Sequence, residues 1–192
     1  MCHEVSHALG LPDEYDTNYT ALGMSYWSLM DSGNYCDNGK TPCGLTAYER
    51  DLLGWRPLTV LERSTTVRLR PLEAGGAGYK VVNEANPDEY YVLENRQHVG
   101  WDNGLMKLGH GMLVVHVDYD ETAWKNNMLN TNATHQRMSF IPANNRYVGP
   151  YNAESSADLL NALGGQPYPG TEENTALTNE TTPASLVSQE LG

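Results

Sequence analysis

The stretch that decides the reading is His3-Glu4-Val5-Ser6-His7-Ala8-Leu9-Gly10-Leu11-Pro12-Asp13, which opens on the pattern His-Glu-x-x-His. On a helix, residues four apart lie on one face about a turn apart, so the imidazoles of His3 and His7 can reach one metal ion. Glu4 sits about 100° further round, where its carboxylate can serve a water at that ion as general base. Zinc suits such a donor set. The plainer alternative, a surface histidine and a solvated carboxylate, leaves the joint spacing to chance. The helix is predicted over 1–10. It stops at Gly10, where a positive φ lets the chain leave sharply, and Pro12 follows two positions on.

Working outward, residues 11–44 are turn-like, dense in Gly, Asn, Asp, Tyr and Ser, with one short apolar island at Trp27-Ser28-Leu29-Met30. Leu45 to Trp55 is predicted to be helical, because Leu45, Tyr48, Leu52 and Trp55 recur at helical spacing before Pro57, with Thr46 or Thr41 as cap. An irregular stretch as long as 11–44 inside a compact domain is usually functional. Glu49 offers a metal ligand of the kind some His-Glu-x-x-His enzymes draw from a downstream helix. An ion pair beside Arg50 explains it without a metal.

After Pro57 the apolar period changes to two. Thr65–Arg70, Tyr79–Val82, Glu89–Glu94 and Gly111–Asp118 are predicted strands, with turns at Gly75-Gly76 and Asn86-Pro87-Asp88, and Arg137–Ile141 as a further strand. This spacing suits an antiparallel sheet or sandwich. Ala157–Leu163 is predicted as a short helix ending at Gly164-Gly165, and 166–192 as a loop-like tail with little to bury. The expected division is therefore 1–56, a β-rich region 57–150, and a helix with tail over 151–192.

The N-terminal pattern resembles that of the metzincins, His-Glu-x-x-His-x-x-Gly-x-x-His, whose last position falls here on Asp13. A carboxylate oxygen is an accepted zinc donor, so His3, His7 and Asp13 would leave a fourth position open. Asp13 could instead stabilise the turn after Leu11-Pro12, and Glu14 could take its place as ligand. Metzincins also carry a methionine turn beneath the zinc histidines, and Ser28-Leu29-Met30-Asp31-Ser32-Gly33 has the order and distance for it. A buried core Met is the simpler reading of Met30 alone.

These residues, with Ala8–Asp16, Tyr26-Trp27, Thr46–Arg50, Gly54-Trp55, Tyr90–Arg96 and His110–Asp118, resemble the immune inhibitor A-like family of secreted bacterial zinc metalloendopeptidases. The resemblance runs through about 1–145. It implies an α+β chain in which 1–56 is the C-terminal half of a metzincin-like zinc-protease domain and an antiparallel β-rich, sandwich-like domain packs against it. It also implies zinc on His3, His7 and Asp13, Glu4 as catalytic base for a metal-activated water, support from Gly10 and Met30, protein or peptide substrates, and secretion.

The motif lies within the first ten residues, which leaves no room for a signal peptide or a preceding core, so an N-terminally truncated fragment is expected. These 192 residues alone are expected to be inactive. A hypothesis of another class is a non-catalytic piece whose β-rich region binds protein or glycan; the intact His3, Glu4 and His7 favour the enzyme for the parent protein.

The remaining composition mostly excludes. A net charge of −12 argues against nucleic acid or an anionic membrane as main partner, and no apolar run approaches the length of a membrane span. Cys36 and Cys43 flank a polar loop that a disulfide could close, while Cys2 reads as a buried helix residue. Calcium is a second candidate ion, at Asp13-Glu14-Tyr15-Asp16 or around His116, Asp118, Asp120 and Glu121, where a satisfied polar pair is the simpler reading. His98, His110 and His135 show no ligand spacing.

Overall fold

The computed structural model describes residues 1–185. Its elements are α1 (Cys2–Ala8), α2 (Ala47–Leu52), β1 (Thr59–Val60), β2 (Tyr79–Asn83), β3 (Asn86–Arg96), β4 (Gly111–Asp118), α3 (Glu121–Lys125), β5 (Met138–Phe140) and α4 (Ser156–Gly165). The chain is α+β. Its strands form one five-stranded sheet in the order β1-β2-β3-β4-β5, antiparallel except for the short parallel pair β1–β2.

Several expectations are corrected. Among the described residues there is one sheet, not the two of a sandwich. The reason lies in what covers it: Tyr90 and Val92 of β3, Leu113, Val115 and Val117 of β4, and Met138 and Phe140 of β5 share a core with Leu22, Met24, Trp27 and Leu29 of the irregular stretch and with Ala47 and Tyr48 of α2. An irregular segment supplies the apolar layer that a second sheet would have supplied. Thr65–Arg70 makes no strand: Val67 is exposed and Leu69 only half-buried, so its alternating apolar face finds little to pack on. The β2–β3 turn falls at Glu84-Ala85, one step before the expected Asn86-Pro87-Asp88, which opens β3 instead.

The opposite face of β4 carries a smaller cluster of Val114, Ile141, Ala143 and Tyr168. Tyr168 belongs to the stretch expected to have little to bury, yet it exchanges backbone hydrogen bonds with Met112. Gln166 beside it is fully buried and accepts from Trp27 Nε1 at 2.8 Å. The last part of that predicted tail, 186–192, lies outside the described residues.

Arg96 ties the sheet to the irregular layer. Buried at the end of β3, it pairs with Asp102 at 2.6 Å and Glu94 at 3.0 Å and donates to the carbonyls of Trp27 and Gly44. Two carboxylates and two carbonyls satisfy a guanidinium that would otherwise be very costly to bury. Segment 21–44, which underlies the N-terminal helix, is thereby fixed on the sheet.

Candidate metal centre

α1 is only seven residues long and exposes Glu4 and Val5, with Leu9 exposed just after it, but buries His3 and half-buries His7. The two histidines point together, with Nε2 atoms 3.2 Å apart. Asp13 Oδ1 lies 3.0 Å from His3 Nε2 and 3.1 Å from His7 Nε2. A tetrahedral ion about 2.0–2.1 Å from each donor would hold them about 3.3 Å apart, so the triangle fits zinc with little adjustment. Among the described residues this is the only group of three or more His, Cys, Asp or Glu side chains with converging ligand atoms.

The far side of each ring supports the same use. His3 Nδ1 meets the Leu29 carbonyl at 2.9 Å and His7 Nδ1 meets the Leu11 carbonyl at 2.8 Å. With Nδ1–H donating to a carbonyl, each Nε2 turns its lone pair toward the common point. The electrostatics follow from the crowding. The hydrogen bond to Asp13 raises the His3 imidazole above its ordinary value, against the effect of burial. Burial pushes the Asp13 carboxyl up, but hydrogen bonds from His3 and Asn127 outweigh it and hold the group below its ordinary value.

The turn into Asp13 is made where expected. Gly10 adopts φ +103°, a conformation that an L side chain resists, and an added Cβ there would meet nothing within 4 Å. Backbone geometry, not space, therefore requires the glycine.

The turn bearing Met30 is built from hydrogen bonds. Met30 is fully buried, its N–H donates to Ser28 Oγ at 2.8 Å, and its carbonyl accepts the N–H of Glu14 at 2.9 Å. Ser28 Oγ in turn donates to Glu49 Oε1 at 2.9 Å. Thr46 caps α2 in a reciprocal box: its hydroxyl accepts from the Glu49 N–H, and its own N–H donates to Glu49 Oε2. Glu49 is thus wholly buried and serves the turn. The ion pair read beside Arg50 is not formed among the described residues, where Arg50 pairs with Glu73 instead.

Other candidates separate. Glu14 points into the core, where burial and the neighbouring Glu49 push its carboxyl well up. Asp16 accepts from the backbone of Asn18, Thr20 and Ala21 and from the Thr20 hydroxyl, closing its own loop. His116 pairs with Glu89 at 2.9 Å, while Asp118 pairs with His135 at 2.7 Å and with Arg137. Asp120 caps α3 and Glu121 pairs with Lys125, so neither acidic group proposed for calcium comes together. The rings of His98 and His110 do meet, 5.3 Å between centroids. Cys36 and Cys43 are buried, unbonded thiols in hydrogen-bond contact, and Cys2, expected to be buried, is exposed.

Sequence reasoning missed Asn127, whose amide holds Asp13 from 114 positions further along the chain. Asn127 follows α3, itself unpredicted, and only the preference of Asn for a left-handed helix end marked the position.

Comparison with known proteins bears on this region. Residues 1–56 match the family model described as immune inhibitor A peptidase M6, catalytic domain. The pre-pro-metalloprotease PrtV of Vibrio cholerae serotype O1 is 46% identical over 55 residues, 27% of this chain and 6% of that protein. Immune inhibitor A of Bacillus thuringiensis subsp. alesti is 42% identical over 53 residues, 26% of this chain and 8% of that protein. The chain thus spans only a small fraction of the curated relatives that it matches. No solved structure matches.

Proposed function

We propose that this chain, whose residues 1–56 are a segment of the immune inhibitor A peptidase M6 type, belongs to a secreted zinc endopeptidase acting on proteins or peptides. The observation that carries the proposal is the meeting of His3 Nε2, His7 Nε2 and Asp13 Oδ1 within 3.2 Å of one another, with each Nδ1 committed to a carbonyl.

His3, His7 and Asp13 would hold the zinc, which when bound supplies Lewis acidity for a scissile carbonyl and for the attacking water. Glu4, exposed on the same helix, accepts the proton of that water and returns it to the departing amine. The Leu29 and Leu11 carbonyls keep the rings in the tautomer with a free Nε2. Met30 fixes the turn from which the Leu29 carbonyl projects. The metzincin-like assignment of 1–56, with the boundaries at 56 and 150, belongs to the same proposal. Secretion follows from the family resemblance; no helix among the described residues is long and apolar enough to cross a membrane.

The test is casein cleavage and zinc content of the protein carrying this sequence, compared with Glu4→Ala. The variant is expected to keep its zinc and lose at least a hundredfold in rate, within the usual contribution of a general base, about 10²–10⁴. Full activity in Glu4→Ala contradicts the mechanism.

A further inference from the structure

Asn127 and Asp13 lie 114 positions apart and form a two-point clamp. Asn127 Nδ2 donates to Asp13 Oδ2 at 2.6 Å, and the Asp13 N–H donates to Asn127 Oδ1 at 2.5 Å. One carboxylate oxygen is thereby occupied, and the other, Oδ1, is the atom that meets both histidines. A carboxylate otherwise free to rotate about its last bond presents a single defined donor.

The backbone shows why Asn127 stands there. The Met128 N–H bonds to the Ala123 carbonyl and the Asn127 N–H to the Trp124 carbonyl, the paired bonds that close a helix when its next residue is left-handed. Asn127 has φ +57°. Glycine would satisfy that backbone at least as well. A glycine retains the helix end and supplies no amide, so substituting it separates two roles that otherwise coincide.

We propose that Asn127 is a positioning residue for the third metal ligand, so that the metal centre is completed from outside the segment that matches the peptidase family. This rests on the reading of His3, His7 and Asp13 as a zinc site. The amide of Asn127 fixes which oxygen of Asp13 is offered and its orientation, in the way outer-shell partners tune metal ligands. It touches neither metal nor substrate. Part of the β-rich region, through the end of α3, thereby belongs to the catalytic unit.

The experiment compares wild type and Asn127→Gly in the whole chain. Three quantities are read: zinc affinity by competition with a chromophoric chelator, the visible absorption of the cobalt-substituted protein, and Tm with chelator present. The expected result is an unchanged Tm, zinc affinity lowered about 10–100-fold, and an altered cobalt spectrum. Equal affinity and an identical spectrum in Asn127→Gly overturn the role while leaving the metal centre standing. Failure of the wild type to bind zinc overturns both. An affinity loss accompanied by a large fall in Tm assigns Asn127 to the fold alone and also overturns the proposal.

Discussion

The Nδ1 of His3 lies 2.9 Å from the carbonyl oxygen of Leu29, the residue before Met30. In the proposed zinc site the turn bearing Met30 would therefore act through its backbone, holding the tautomer and aim of the buried histidine. Ser28 and Glu49 hold that turn in place, and Thr46 holds Glu49.

Glu49→Ala is expected to destabilise the chain by about 2–4 kcal/mol, because it strands the Ser28 hydroxyl and the Thr46 N–H in a buried place. Urea unfolding measures the loss. Glu49→Gln, which retains one acceptor, should lose less. Equal losses in the two variants would contradict the assignment of Glu49 to the turn.

Gly10→Ala should cost about 1–2 kcal/mol from the left-handed backbone alone, since no atom stands near the added Cβ. The same variant should bind zinc more weakly, because Gly10 sets the path from His7 to Asp13. Thermal melting and chelator competition read the two effects separately, and an unaffected zinc affinity would disconnect the turn from the site.

Stability should fall as pH rises from 5 to 8 with chelator present. Burial pushes the Asp31 carboxyl up to about 7, despite hydrogen bonds from the Ser32 hydroxyl and the backbone N–H groups of Ser25 and Met24. Burial also pushes Glu14 and Glu49 up, and the contact with Asp13 raises His3. In each case the folded chain keeps a proton that the unfolded chain releases. The stabilisation is full below the ordinary pKa of each group and is lost as pH rises through the folded value. Asp13 and Asp16 are shifted the other way: their stabilisation is present throughout pH 5–8 and is lost only as pH falls below the ordinary carboxylate range through their folded values. Asp31→Asn should flatten the profile by a few kcal/mol, on the order of 1.4 kcal/mol for each tenfold difference in proton affinity between the folded and unfolded chain. A stability that rises from pH 5 to 8 would contradict the burial of these acids.

The native chain should show one rapidly titrating thiol, that of Cys2, with Cys36 and Cys43 reacting after unfolding. Thiol counting with a chromogenic disulfide reads this directly. Three fast equivalents would place the Cys36–Cys43 loop at the surface.

The convergence of His3, His7 and Asp13 is legible in the sequence because these residues are close in the chain. Helical spacing placed His3 and His7 on one face, and the Gly10-Leu11-Pro12 turn brought in Asp13. What supports them is remote: Leu29 acts through a carbonyl that has no residue signature, and Asn127 reaches Asp13 from beyond β1 to β4. Strands β3, β4 and β5 are visible because one or both of their faces are buried, whereas β2, at most half-buried, shows only through its β-branched Val81 and Val82. Thr65–Arg70 alternated equally well but had little to pack on, and periodicity alone does not report the presence of a partner surface. The sandwich failed for the complementary reason, since a segment without periodicity filled the place of the second layer.

The most direct test of the central claim is the zinc content of dialysed protein, combined with X-ray absorption at the zinc edge. Two imidazole nitrogens and one carboxylate oxygen from the protein are predicted for the wild type, with loss of bound zinc in Asp13→Ala and retention in folded Glu49→Ala. Full zinc in Asp13→Ala with its loss in folded Glu49→Ala would contradict the account and move the third ligand to α2.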